Sequence, residues 1–345
     1  MSKDTGPLGL YELTRQDAAD LLSSLGQPRY RVDQLWDGLY NQHLPIEEIS
    51  NLPSSLRERL AAEVAPSFAV LADQTGDGGA TRKWLFSSVK DGAQAETVLM
   101  RYQRRATVCV SSQAGCAMAC SFCATGQAGF DRHLTSGEIV EQVVVAARNS
   151  PQRVSNVVFM GMGEPLANVD AVTDALGRLN QDLGIGARHL TVSTIGVVPG
   201  ILALADFELP VTLAVSVHAG DDKLRESLVP LQRRYPLTEV LQAADEFRAR
   251  RGRRVTYEYA MIAGVNDSLN DAVSLADKLV RYGGHVNLIP YNPTPGLSAE
   301  ATPPAKIAAF AARLEAAGLT ATVRRNRGVG IDAACGQLRN RIQPG

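Results

Sequence analysis

The 345-residue chain has almost no net charge: 35 Lys and Arg against 36 Asp and Glu leave −1 at pH 7. No molecule-wide field therefore draws it to nucleic acid, and any basic binding surface has to be local. It is poor in lysine, 6 against 29 arginines, a skew that base composition accounts for at least as well as phosphate binding. It lacks an apolar run of the ~18 residues a membrane span requires; the most apolar stretch, 190–217, is broken by Pro199, Asp206, Glu208 and Pro210. The opening MSKDTGPLGL has no apolar centre of the kind a secretory signal carries. Low-complexity tracts and internal sequence repeats are missing as well. A cytoplasmic protein without a membrane partner is expected, in a compartment where thiols stay reduced. Cysteine is sparse: Cys109, Cys116, Cys120, Cys123 and Cys335. An odd number cannot all pair as disulfides, and three crowded between 116 and 123 read as metal-binding or catalytic before they read as staples.

What is present is an ordinary globular composition, 45% hydrophobic and 21% charged. The length suits one large α/β unit with an appendage, at ~150 residues per domain. Helical periodicity marks 14–25, 30–40 and 56–62, with a break at Gly26–Gln27–Pro28, and the glycine-rich 74–80 reads as a linker. Two strand-like runs, 83–89 and 96–102, predict a hairpin. Beyond them, seven strand-like runs (106–112, 156–162, 189–195, 211–218, 254–262, 285–291 and 320–324) alternate with amphipathic helices. Near-continuous apolar strands and strict βα alternation predict a parallel sheet closed into a partial (β/α)6-type barrel, not an α+β fold. The expected organisation is a helical N-terminal domain over 1–73, a linker and hairpin over 74–105, and the barrel with a C-terminal cysteine loop over 106–345.

Function in such a barrel sits at the C-terminal ends of the strands. Those ends carry Cys116, Gly163 and Glu164, Ser193, Ser216 to His218, and Asn292. Cys116-Ala-Met-Ala-Cys120-Ser-Phe-Cys123 is a Cx3Cx2C loop directly after a strand. Three thiolates on one short loop can converge on a [4Fe–4S] cube and leave one iron free to chelate a small molecule. Zinc is the alternative; it wants a fourth ligand at comparable spacing, and His133 is the nearby candidate. Spacing favours iron–sulfur.

Cx3Cx2C with an aromatic before the last cysteine, at the end of the first strand of a βα barrel, resembles the radical S-adenosylmethionine superfamily. CVSSQAGCAMACSFCATGQAGFDRHLTSGEI (109–139) is similar to one family within it, the methyltransferases acting on adenine carbon 2 in 23S ribosomal RNA and transfer RNA. VVFMGMGEPLANVD (157–170), LTVSTIGVVPGI (190–201), LAVSVHAGDDKLRESLVP (213–230), NLIPYNPTPG (287–296) and GIDAACGQLRNR (330–341) carry the likeness along the barrel. The resemblance implies cluster ligation by Cys116, Cys120 and Cys123. It implies S-adenosylmethionine contacts from Gly163, Glu164, Ser193, Ser216, Val217, His218 and Asn292, with Glu164 offsetting the cofactor's ammonium. Adenine carbon 2 has no nucleophilic lone pair, so polar attack on a sulfonium methyl is closed to it. By resemblance, Cys335 first takes a methyl from one S-adenosylmethionine and a second supplies a 5′-deoxyadenosyl radical, two per turnover. Glu96 would act as general base at carbon 2, and Cys109 would attack the Cys335 sulfur to release product through a transient disulfide. The implied substrates are an adenosine of the peptidyl transferase centre and one beside the anticodon, with a flavodoxin-type reductant and a monomeric enzyme.

Blander readings stand beside these. A strand cysteine such as Cys109 is more often structural than reactive. Glu96 alone is a strand-edge carboxylate, the glycines of GMGEP can be an ordinary turn, and His218, Ser193 and Asn292 can simply bond loop backbone. Cys335, in a glycine-rich polar segment, is poorly explained by packing. Arg324, Arg325, Arg327, Arg339 and Arg341 around it suit RNA phosphates, while the run 248–254 reads as a helix end. Arg29, Tyr30, Arg31 and Trp36 suit either RNA contact or a small aromatic core. The rival functions are methylation of carbon 8 of the same ribosomal adenosine and a non-catalytic iron–sulfur RNA-binding or redox protein.

Overall fold

The computed structural model describes residues 7–294, 296–324 and 327–338. Ten strands form one sheet and lie side by side in chain order. β1 (Phe68–Gly76), β2 (Thr81–Ser88), β3 (Gln94–Arg101) and β4 (Ala106–Cys109) pair antiparallel. From β4 onward β5 (Val154–Phe159), β6 (Leu190–Thr194), β7 (Thr212–Ser216), β8 (Thr256–Met261), β9 (His285–Pro290) and β10 (Thr320–Val323) are parallel. This is the expected α/β partial barrel, six strands from β4 to β9 with short β10 at the edge.

The apolar runs explain the parallel part. Val157, Val192, Leu213, Val215 and Leu288 have no exposed surface, and burying each such side chain contributes ~1.5–3 kcal/mol. Crossover helices Ser136–Arg148, Val169–Gln181, Leu237–Arg251, Leu269–Leu279 and Pro304–Ala316 follow the amphipathic segments of the sequence. Two of them start at reciprocal caps, Thr135 with Glu138 and Ser268 with Asp271, each satisfying two N–H groups that lack helical partners. Leu237–Arg251 stops at Gly252, which takes the left-handed φ of 64°. Its arginines bond locally, Arg248 to Asp245 and Arg251 to the Phe207 carbonyl, as a helix end should.

One expectation fails. The segment 74–80 is not a linker: Gln74–Gly76 completes β1, and Asp77–Ala80 is the tip joining β1 to β2, with Gly78 and Gly79 at positive φ. Glycine marks that turn correctly, but in an edge strand where only Phe68 is buried the polar Gln74 and Thr75 still pair with Lys83 and Arg82 of β2. The apolar stretch after β6 contains a helix, Val198–Asp206, nearly without polar residues and so without helical periodicity.

The N-terminal helices Arg15–Ser24, Tyr30–Trp36 and Ser54–Glu63 add their apolar side chains to the main core. They are fastened to the barrel by the Trp36 indole, which donates to Asp182 at 2.9 Å, and by Arg178, which donates to the Tyr40 hydroxyl at 2.7 Å. Among the described residues no helix is long and apolar enough to cross a membrane.

Candidate active site

A cleft opens at the C-terminal ends of the parallel strands, where a fold of this kind places its site. Phe159, Ser193, Ser216, Glu258 and Ile289 line it from five successive strands. The loop after β4 contributes Cys116, Cys120 and Cys123, and later loops bring Gly163, Glu164, His218, Asn292 and Cys335. Ten of the expected site residues therefore share one cavity.

Burial pushes the Cys116 thiol up to about 12 and Cys120 well above its usual value, with neighbouring thiolates adding to the effect. Buried thiols of this kind become good ligands once iron supplies the missing positive charge. Among the described residues no three His, Cys, Asp or Glu side chains stand close enough to grip a single ion. Three cysteines of one short loop that all line the same cleft are the donor set of a cluster with one iron left open to a small molecule. Phe122 also lines the cleft, its ring edge-on to His218 at 4.6 Å between centroids.

The GMGEP turn is shaped by contact. Gly163 takes φ 102°, and a Cβ there would meet the Gln113 backbone N at 2.9 Å. A Cβ on Gly161 would sit 2.6 Å from the Val110 carbonyl. Glu164 is held by backbone donors: its Oε1 accepts from Leu166 N at 3.0 Å and its Oε2 from Ile195 N at 2.9 Å. Burial outweighs those bonds and raises its carboxyl to about 7. It lines the cleft, buried and bonded to neutral donors, a carboxylate that a ligand ammonium would complete.

His218 takes a left-handed φ of 58°. Its Nδ1 accepts from Ala260 N at 3.0 Å, which fixes the ring as a neutral tautomer, and burial lowers its pKa to about 3. Ser216 faces the cleft, but Val217 does not: its side chain lies in the main core, its N–H goes to the Glu258 carbonyl and its carbonyl to Arg225.

Cys335 is docked, not loose. Asn292 Nδ2 donates to its carbonyl at 3.1 Å, Ala124 N to the Gly336 carbonyl at 2.7 Å, and Thr125 Oγ1 to the Leu338 carbonyl at 2.6 Å. The short helix behind the third motif cysteine thus carries the Cys335 loop. A second cavity of about 500 Å³ lies on the far side, lined by Cys109, Val98, Met100 and Leu338, and Cys335 borders both cavities. Burial raises the Cys109 thiol to about 12, with the Cys335 charge adding to it and Arg324 opposing.

Glu96 lines neither cavity. It is fully buried on β3, two residues from Val98, which pairs directly with Cys109. Its Oε1 meets Lys83 Nζ at 3.0 Å, and Lys83 also reaches the Asp332 carbonyl at 3.4 Å. The Ser111 hydroxyl donates to the Glu96 carbonyl and accepts from Met162 N, joining this strand to the GMGEP turn. Lys83 was missed in the sequence, although it and Glu96 are opposite charges on the two strands of one hairpin.

Of the arginines expected to hold phosphates, Arg324 and Arg327 point inward. Arg324 borders both cavities with a nitrogen 3.9 Å from the Met160 sulfur, and Arg327 stacks on Tyr102 at 4.3 Å. Arg325, Arg339 and Arg341 lie outside the described residues. Trp36 is buried, whereas Arg29 and Tyr30 are exposed.

Residues 110–276 match the radical SAM superfamily. The chain is 51% identical to the probable dual-specificity RNA methyltransferase RlmN of Parafrankia sp., covering 96% of this chain and 91% of that protein. To the corresponding protein of Chloroflexus aurantiacus it is 45% identical, covering 96% and 93%. The crystal structure of a radical SAM methyltransferase from Sphaerobacter thermophilus superposes with a TM-score of 0.93 at 46% identity, over 97% of this chain and all of that one.

Proposed function

The chain belongs to the radical S-adenosylmethionine RNA methyltransferases of the dual-specificity kind, and from that premise we propose that it methylates carbon 2 of adenosine in two RNAs. One substrate is the peptidyl transferase centre of 23S ribosomal RNA; the other is a transfer RNA adenosine beside the anticodon. The carrying observation is that Cys335 borders both the cleft lined by the three motif cysteines and the chamber lined by Cys109. A sulfur so placed can receive a methyl on one side and meet a second thiol on the other.

Cys116, Cys120 and Cys123 would hold the [4Fe–4S] cluster, and Glu164, Ser193, Ser216, His218 and Asn292 the S-adenosylmethionine. Bound there, the pair supplies a one-electron cleavage that yields the 5′-deoxyadenosyl radical. The protein's own work is at three side chains. Cys335 Sγ accepts a methyl and presents it to the base. The resemblance gives Glu96 the role of taking the carbon 2 proton; its carboxylate, ion-paired with Lys83 and outside both cavities, has to part from that lysine to reach the base. Cys109 Sγ, after losing its proton, attacks Cys335 Sγ; the new S–S bond forms as the S–CH2 bond breaks, the bonding pair stays with the departing carbon, and that carbon takes up a proton to become the methyl group of the released base. Arg324, beside both sulfurs, favours the thiolates this exchange needs. Arg29 and Tyr30, exposed on the N-terminal helices, are suited to touch RNA. A flavodoxin-type donor, a cytoplasmic location and a monomer complete the reading.

The test is anaerobic turnover of reconstituted protein with S-adenosylmethionine, reductant and RNA. Mass spectrometry should find a methyl thioether on Cys335 and 2-methyladenosine in the RNA, and Cys109→Ala should accumulate a covalent protein–RNA adduct. Product methylated at carbon 8 would overturn the regiochemistry; an unmodified Cys335 would overturn the route.

A further inference from the structure

Arg225 has no exposed surface, although it lies on the short helix Asp222–Leu228 beside the cluster loop. Its guanidinium is bonded to neutral oxygens: Nε to the Val217 carbonyl at 3.1 Å, Nη2 to the Ile195 carbonyl at 2.6 Å, and Nη1 to Gln232 Oε1. Among the described residues it forms no ion pair with a carboxylate. Asp222, whose charge reaches it, is exposed and already paired with Lys278. Carbonyl dipoles offset only part of the cost of burying such a charge, so the arrangement calls for an anion.

The cluster loop supplies one. Ile195, whose carbonyl accepts from Arg225, shares one apolar cluster with Cys120, Phe122 and Cys123, which places the guanidinium directly behind the ligand loop. Ser121 N donates to the Leu228 carbonyl at 3.1 Å, and Leu228 and Val229 pack against Cys120, so helix and loop form one body. Burial brings the guanidinium down only to about 10, and it stays charged at neutral pH.

We propose that Arg225 is the built-in counter-charge of the iron–sulfur cluster, a positioning residue that sets how readily the cluster accepts its electron. The inference rests on the reading of Cys116, Cys120 and Cys123 as cluster ligands. Reduction takes one electron from a low-potential one-electron donor and carries the core from the 2+ to the 1+ state; the thiolates stay bound and no proton moves. The reduced state carries one more negative charge, so a fixed neighbouring cation stabilises it more than the oxidised state.

The experiment is an anaerobic redox titration with dithionite, followed by electron paramagnetic resonance, on wild type, Arg225→Lys, Arg225→Gln and Arg225→Met. Iron and sulfide content and circular dichroism are recorded for each. Both neutral variants should be at least tenfold harder to reduce, a midpoint ~59 mV more negative for one electron. Arg225→Lys should stay near the wild-type potential while losing thermal stability, because it keeps the charge but not the fork that grips two strand ends. A purely structural arginine would lower stability in all three and leave the potential where it was; that result overturns the proposal. If the neutral variants fold but take up no iron while Arg225→Lys does, the counter-charge role is supported through assembly. If Arg225→Lys folds and also fails, it is overturned. Wild type without iron would instead sink the cluster reading beneath it.

Discussion

Glu164 is a buried carboxylate whose two oxygens each accept a backbone N–H and whose pKa is raised to about 7. An ammonium ligand needs the ionised form, and that form is lost as pH falls through this value. Wild-type affinity for S-adenosylmethionine should therefore be level above about pH 7 and weaken progressively below it in equilibrium binding. Glu164→Gln should bind roughly 10- to 100-fold more weakly, the ~1.5–3 kcal/mol of a hydrogen bond to a charged group, and lose the pH dependence. A wild-type affinity that is flat with pH would show that Glu164 does not meet the ammonium. Lys83 poses a different case: its ammonium is 3.0 Å from the Glu96 carboxylate with both side chains nearly inaccessible. Lys83→Met should cost ~3–5 kcal/mol in denaturant unfolding, as removal of one partner of a buried pair does. Lys83→Met with Glu96→Leu should recover much of that loss; additive losses would refute the coupling. The three motif cysteines could be read directly because a spacing is a sequence property. Arg225 and Lys83 could not, because their meaning depends on which oxygens surround them after folding.

At the scale of elements, the parallel strands were legible because burial on both faces leaves an apolar run, and the hairpin because two such runs flank a turn. β1 was hidden by exposure, and Val198–Asp206 by having no polar face. The Cys335 segment reads as glycine-rich and polar with little to pack, yet Asn292, Ala124 and Thr125 hold three of its carbonyls in place. Sequence cannot announce a bond between residues 213 positions apart, as Thr125 and Leu338 are. The GMGEP turn gives the matching prediction. Gly163→Ala places a Cβ 2.6 Å from Gln113 Cβ at a φ of 102°, strain of ~1–3 kcal/mol. Binding of S-adenosylmethionine should fall at least tenfold while far-ultraviolet circular dichroism is unchanged; retained affinity would mean the turn does not shape the cofactor site.

For the whole molecule, the N-terminal helices behave as an extension of the barrel's core. Trp36→Phe deletes the indole bond to Asp182 and leaves that acceptor facing apolar ring. The unfolding free energy should drop by ~0.5–1.5 kcal/mol in one cooperative transition; two separated transitions would mean that the helices fold independently of the barrel. The same view explains why the fold class was readable and the boundary at 73 was not visible as a break: β1 runs through it, from Phe68 to Gly76.

Because the ten strands lie in chain order, every pairing joins neighbours along the polypeptide, and a chain emerging from the ribosome can add each strand to a finished edge. The exception comes last. Residues 327–338 reach back to the first strands, Gly328 N to the Asp77 carboxylate at 2.8 Å, Arg327 to the Arg101 carbonyl at 2.9 Å, and Lys83 to the Asp332 carbonyl. Residues 327–338 are made after every strand of the sheet, so the cavity that Arg327, Ala333, Cys335 and Leu338 help to wall is the last part of the site to be completed.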